Sequence, residues 1–474
     1  MKRLEALPEH VTSQTKGSQL DAFSIALEGW RRGLELKFYN PSAIPSGISV
    51  KHKNIQGRVF SLSNQNRTHY FYRSRGDLVS DKAVEVCKDK FRTKSYLKES
   101  GVPTPQGTVF TLNEDIVNKV SSLGVTYPLV LKPVDGSKGK DVYTDIGSEE
   151  ELVELVQKIR NDQGAERKFI IEEYFKGEDY RLYVVGDQVV GACYRIPPTV
   201  IGDGHSTIDE LIKYKNNERK KVKPYYSTRL ITVNKELINF IKKGNLSLES
   251  VPEKDEKVQL RNVNNVSIGG EPVDVTTELS NDVKQIAVNA LKALPDMSHG
   301  GVDLILDKND SNKAQVIEIN STAILGMHLF PIHGDPRDIP SAIIDFYFPE
   351  TKKSYKNNNF FMYHEIIKPL NDLTLKEITL NRQSFNDKVT IYRIDGSFKK
   401  RSLSAIKKFC ILNNINGEMS LYKSTLNIAL KVDDVSKVKR FEKVISKMGY
   451  EIHKEIYNAS DYPLEVGFKE KLKE

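Results

Sequence analysis

No apolar run in this chain approaches the roughly 20 residues needed to span a bilayer; its apolar residues come in short runs bounded by glycine, proline and polar turns. Two periodicities share the sequence. "YPLVLKP", "KFIIEEYF", "YRLYVVGDQVVGACYRI", "GGVDLILD" and "AQVIEIN" read as strands, the third as a hairpin turning at Gly186-Asp187. "DKAVEVCKDKFRTKSYLKES", "EEELVELVQKIRND" and "LSNDVKQIAVNALKAL" carry helical spacing. The mixture restricts the chain to α+β or α/β architecture, and 474 residues suffice for two to four domains.

A hydrophobic fraction of 39% and a charged fraction of 28% suit a globular protein. The first ten residues contain no apolar core of signal-peptide length. Cys87, Cys193 and Cys410 lie far apart and form no metal or redox spacing, so a reducing cytoplasm is the expected compartment. The net charge of +8 reads as a solvated surface with a modest basic bias.

Four segments are expected. Residues 1–80 read as a small α/β domain, from "SQLDAFSIALEGWRRG" and the strands "LELKFY" and "RVFSLS". Ser80 then caps one helix through "YLKES", ended by Gly101 and "VPTP". Ser148 caps the next helix, with Glu151 in capping-box position. Residues 81–349 form the largest segment, in which about 216–274 is a partly irregular excursion. The Lys- and Asn-rich stretch 350–387 reads as a linker. Residues 388–474 follow the order β-α-β-β-α-β, the ferredoxin-like arrangement, with no matched metal ligands and the means to fold independently.

Chemistry concentrates in a few places. In "VIEIN", Glu318 and Asn320 are two apart on a strand and point to one face; Asp303 sits on the preceding strand. If the strands pair, three oxygen-bearing side chains converge, a set suited to Mg²⁺ completed by phosphate and water; solvated acids at a strand end are the alternative. Lys132 emerges from "YPLVLKP" and must reach water or an anion. The following "DGSKGKD", with Gly136 and Gly139, could wrap phosphates or be a plain hairpin turn, and it lacks P-loop spacing. Lys90 and Lys94 share a helix face, which also suits a wet stripe. "IIEEYFKGEDYRLYVV" could present backbone groups to an adenine edge and a carboxylate to a ribose.

The order of these pieces, with "RIPPTVIGDGHSTIDELI", "PVDVT", "HGGVDLI" and "GMHLFPIHGDPRDIPSAIIDFYFP", resembles the ATP-grasp superfamily over residues 81–349. Within it the chain looks most like the ATP-grasp modules of cyanophycin synthetase and bifunctional bacterial glutathione synthetase. The resemblance implies an ATP-grasp fold behind an N-terminal preATP-grasp domain. It implies a carbon–nitrogen ligase that activates a carboxylate with ATP as an acyl phosphate. By it, Lys90 and Lys132 contact ATP, and Ser137 and Gly139 belong to a loop closing over the phosphates. Glu172, Glu173, Tyr174 and Phe175 form the adenine hinge, and Asp179 binds ribose. Arg181 and Arg195 serve catalysis at the phosphates, and Asp303, Glu318 and Asn320 hold Mg²⁺, two ions, with Mn²⁺ as a substitute.

Two departures limit the transfer. "STAILGMH" places Ala323, Ile324 and Gly326 where related ligases carry a Pro-Gly-type turn, so their substrates do not carry over. Neither a Mur-ligase-like nucleotide loop nor a glutamate–cysteine ligase domain is recognisable. Candidate groups for substrate carboxylate or phosphate are His328, Arg337, Arg67, Arg73 and Arg75; surface charge and packing would also account for them. The expected partners are small-molecule or peptide carboxylates and amines, with homo-oligomerisation open and no membrane. A ligase for non-amino-acid carboxylates and a non-catalytic nucleotide- or RNA-binding protein are the alternatives; the lack of an aromatic RNP-like strand counts against RNA.

Overall fold

The computed structural model describes residues 2–15, 17–50, 55–134, 141–222, 224–262, 264–310, 312–352, 360–380, 388–413, 415–432, 435–458 and 468–472. The chain divides into two compact units. One comprises residues 1–21, 46–49 and 71–346; the other comprises 22–45, 50–70 and 347–474.

The first unit contains two antiparallel sheets. The four-stranded sheet runs Gly107–Thr111, Lys168–Glu173, Leu129–Pro133, Tyr143–Ile146. Leu129, Leu131, Phe169 and Ile171 pack with the helices Ile116–Leu123 and Glu149–Gln163. Alternation therefore turns Lys132 and Glu172 to the opposite face. Ser148 caps its helix as expected, accepting from Glu151 N at 3.3 Å, but the Glu151 carboxylate reaches Gly147 N instead of closing a box on Ser148.

The five-stranded sheet runs Glu271–Asp274, Gln188–Ile196, Glu178–Val185, His299–Leu306, Ala314–Asn320. Tyr180, Leu182, Val184, Val302, Leu304, Val316 and Ile319 form its core with the helix Asn281–Ala293. A register shift after Asp303 lets Val316 and Ile319 share this core while Glu318 and Asn320 take the other face. The expected single helix after Ser80 is two, Asp81–Lys88 and Lys90–Glu99. Asp89 breaks it: its carboxylate accepts from Phe91 N and Arg92 N, acting as a second N-cap.

The expected excursion is ordered where described. Val200, Ile208, Ile212, Ile231, Leu237, Ile241, Val258 and Leu260 make a small core of their own. The capping box of Thr207 and Glu210 starts its first helix, Ile208–Lys221.

In the second unit three strands pair in the order Glu377–Leu380, Glu35–Tyr39, Val59–Ser63. The stretch read as a linker thus contributes a strand, and also the helix Tyr363–Asn371. Its apolar residues are the reason: Phe361 and Tyr363 pack edge-on against Phe23 and Phe38. Farther along, a separate sheet runs His453–Asn458, Lys388–Asp395, Thr425–Lys431, Asn416–Tyr422, Phe468–Leu472. Its first four strands have the split βαβ order read from the sequence; the fifth adds in parallel to Asn416–Tyr422. Among the described residues no helix is long and apolar enough to cross a membrane.

Candidate active site

Strand register assembles the site. Arg181, Asp303 and Glu318 stand opposite one another on three adjacent strands, so their side chains leave the sheet on one face. Arg181 grips Asp303 with two nitrogens, Nε to Oδ1 at 2.5 Å and Nη2 to Oδ2 at 2.6 Å. Arg195 adds a bond to Asp303 Oδ2 at 3.2 Å and donates through Nε to Asp179 Oδ1 at 3.1 Å. Asn320, with its amide turned to satisfy both neighbours, donates to Glu318 Oε1 (3.3 Å) and accepts from Arg181 (3.2 Å).

The charges are uneven. Burial opposes the charge on Asp303, but Arg181 and Arg195 outweigh it and hold the carboxyl below its usual range. Glu318 is raised, first by burial and then by the charge of Asp303, with Lys90 partly offsetting both. Asp179 is also raised, because burial outweighs Arg195. Two carboxylates and an amide on one face, one carboxylate disfavoured by its neighbour's charge, fit a divalent cation: a hard oxygen-ligand ion would relieve that repulsion. Among the described residues no group of three or more His, Cys, Asp and Glu is arranged for a metal, so this amide-containing set is the candidate.

The four-stranded sheet supplies a second charge cluster. Glu172, 2% exposed, lies 2.5 Å from Lys132 Nζ and 2.5 Å from Lys94 Nζ. The Lys94 ammonium also donates to Pro105 O at 3.1 Å. Burial pushes Lys94 down to about 8 against the pull of Glu172, while the two lysines hold Glu172 low despite its own burial. Two cations on one carboxylate leave a buried positive excess, matched to an anion such as a phosphate. Glu172→Gln is expected to cost about 3–5 kcal/mol, since it strips two buried ammonium groups of their counter-ion. A lowered urea midpoint would register this; an unchanged one would mean that water reaches both lysines.

The hinge follows directly. Glu173 N donates to Gln106 O at 2.9 Å and Tyr174 N to Pro128 O at 3.1 Å, while Tyr174 and Phe175 are half-buried. Gly177 is required there: a Cβ would stand 2.2 Å from Leu306 O.

The remaining candidates separate. His328 is fully buried on the site face of the five-stranded sheet, its Nδ1 3.4 Å from Cys193 Sγ and its Nε2 without a hydrogen-bond partner among the described residues. Gly191 permits the approach, because a Cβ would come 3.0 Å from that Nδ1. The pair is not an activated nucleophile: burial raises the Cys193 thiol and lowers His328 to about 3, leaving both neutral. Arg337 is committed to Asp274 through two bonds, at 2.9 and 2.5 Å.

Arg73 forms the tip of a hairpin at φ +56° and pairs with the buried Asp21 at 3.1 Å. Asp21 also accepts from Leu325 N at 3.0 Å, and Ser74 donates to Ala323 O at 2.6 Å. The hairpin is therefore tied to the loop that follows Asn320. Arg75 instead serves Ser49 O and Asp81, and Arg67 pairs with Glu350 in the second unit. Ser137 and Gly139 lie outside the described residues. Lys94 is the residue that sequence reasoning undervalued. Its only signal was the i, i+4 relation to Lys90, which an exposed stripe shares.

Residues 87–200 match the family described as RimK-like ATP-grasp domain. Cyanophycin synthetase of Geminocystis herdmanii is 32% identical over 277 residues, 57% of this chain and 31% of that protein. The glutathione biosynthesis bifunctional protein of Clostridium perfringens is 30% identical over 316 residues, 65% of this chain and 40% of that protein. The crystal structure of a bifunctional glutathione synthetase from Pasteurella multocida aligns with a TM-score of 0.48 at 26% identity, over 64% of this chain and 42% of that one. The chain spans about a third of the length of the curated relatives it matches.

Proposed function

We propose, on the premise of a RimK-like ATP-grasp domain, that the chain is an ATP-dependent carboxylate–amine ligase forming an amide or peptide bond on an amino acid or peptide. The observation that carries this reading is the row Arg181–Asp303–Glu318, set in register across three strands with Asn320 beside it. A carboxylate is a poor electrophile at neutral pH. Transfer of the ATP γ-phosphoryl group to it makes an acyl phosphate, which an amine can attack. Lys94 and Lys132 would neutralise ATP phosphates, with the backbone from Glu172 to Phe175 meeting the adenine and Asp179 the ribose. Asp303, Glu318 and Asn320 would hold two Mg²⁺ ions, for which Mn²⁺ could substitute; these supply neutralisation of charge on the phosphates. Arg181 and Arg195 would keep the transferred group in line and stabilise the tetrahedral oxyanion during amine attack. Ser137 and Gly139 would belong to the loop excluding water, and Arg73, held by Asp21, would receive the substrate carboxylate.

Amino acids and dipeptides, presented singly and in pairs, test the proposal by phosphate release. Turnover should require ATP, a divalent cation, a carboxylate and an amine, and should yield ADP and phosphate. Release of AMP and pyrophosphate would exclude the acyl-phosphate route. Mass spectrometry of the product identifies the bond.

A further inference from the structure

The chain's positive charge is not spread evenly. Residues 388–474 carry 18 Lys and Arg against 11 Asp and Glu, while the other 387 residues carry 53 against 52. Nearly all of the excess therefore lies in the ferredoxin-like segment. Within it the charge concentrates further, on the helices Lys400–Leu412 and Val435–Lys447, which hold nine cations and a single acid, Glu442.

Both helices pack on one side of the sheet. Leu403, Ile406 and Cys410 of the first and Phe441 and Ile445 of the second enter the same core, with Phe409 and Phe441 rings 6.1 Å apart. Burial of these residues turns the other face of each helix outward. Among the described residues of the second helix the exposed positions are Lys439, Arg440, Lys443 and Lys447, together with Ser436 and Ser446. On the first they include Lys400, Arg401 and Lys408, with Ser404 and Ala405 between. The result is two cationic ridges side by side, each about 20 Å long at 1.5 Å per residue.

We propose that this helical layer binds an acidic polypeptide. Like charges gathered at helical spacing repel one another, and a polyanion laid along the ridges would relieve that repulsion. Among the described residues of the two helices Leu412 is the only exposed large apolar one, too little for insertion into a lipid surface. No aromatic side chain is exposed on either helix, so bases would find no stacking platform. Lysines dominate, and their flexible point charges suit irregularly spaced carboxylates. The choice of a polypeptide over other polyanions also rests on the proposed ligase reading; the cationic surface itself does not.

The test uses the full chain without ATP and a fluorescein-labelled oligo-glutamate peptide as probe. Phosphate release is measured separately, so failure of binding and failure of the ligase reading are distinguishable. The wild-type chain should bind the peptide, and binding should fall as salt rises from about 0.05 to 0.5 M, because screening shortens the reach of exposed charges. K439E/R440E/K443E/K447E should weaken binding about tenfold or more. The gentler K439Q/R440Q/K443Q/K447Q, which introduces no new repulsion within the fold, should weaken it in the same direction. A control with the same charge change on exposed lysines of the other unit, K220E/K242E/K243E/K292E, should bind like wild type. The proposal is overturned by absence of wild-type binding, by equal weakening in the control, or by an unaffected glutamine variant. Tighter, reversal-sensitive binding of an oligonucleotide or of phosphatidylserine vesicles would equally reassign the surface.

Discussion

Glu318→Gln is expected to reduce turnover by about 10²–10³, the usual loss when one preorganised electrostatic contact is removed from a phosphoryl- or acyl-transfer site, while leaving the fold at least as stable. The two halves of this expectation have one cause. Glu318 lies directly across from Asp303, and burial together with that neighbouring charge raises its carboxyl. A carboxyl raised in the folded state costs stability above its folded pKa, and the cost fades as pH falls through that value. Near neutrality the isosteric amide removes the cost, so the melting temperature without nucleotide should hold or rise. The same substitution deletes the charge proposed to face the metal, so turnover should fall. Steady-state phosphate release and a thermal melt on one preparation decide the matter. Wild-type turnover would remove Glu318 from the site, and a lower melting temperature would mean that the carboxylate is a structural partner instead.

A chain ending at Glu350 is expected to lose cooperative unfolding, whereas one ending at Leu380 should keep it. The sequence reads 350–387 as a linker, but its residues complete the second unit. Phe361 packs on Phe23 and Trp30 at 5.4 and 5.5 Å between ring centroids. Tyr363 packs on Phe23 at 5.3 Å and donates to Gly57 O at 2.6 Å. Glu377–Leu380 pairs with Glu35–Tyr39. Removing a buried aromatic side chain costs about 3–5 kcal/mol. Two of them, together with a strand, approach the roughly 5–15 kcal/mol that holds a whole domain. Thermal melts of the two truncations provide the comparison. A sharp transition in the shorter chain would show that 360–380 only decorates the unit.

Features governed by neighbours a few residues away were legible in the chain. Ser80 and Ser148 cap the helices assigned to them, and the hairpin turns at Gly186-Asp187. Glu318 and Asn320 share a strand face, and the β-α-β-β-α-β order of the last segment is present. Each follows from a local period or a cap, which the sequence displays directly. The break at Asp89 is equally local, but helical spacing continues across it and masks it. What the tertiary structure decided is which charges meet. Arg181 could have faced a phosphate alone, yet the register of three strands sets it on Asp303. Arg337 could have awaited a substrate, yet Asp274 holds it. Lys94 reads as a surface residue until the helix after Asp89 brings it within 2.5 Å of Glu172, 78 positions away. Cys193 and His328, 135 residues apart, meet because Gly191 leaves room. Strand Glu377–Leu380 finds its place beside Glu35–Tyr39 in the same way. Such pairings depend on register and on contacts between distant segments, and a period of 2 or 3.6 residues specifies the face of an element without naming what stands opposite it.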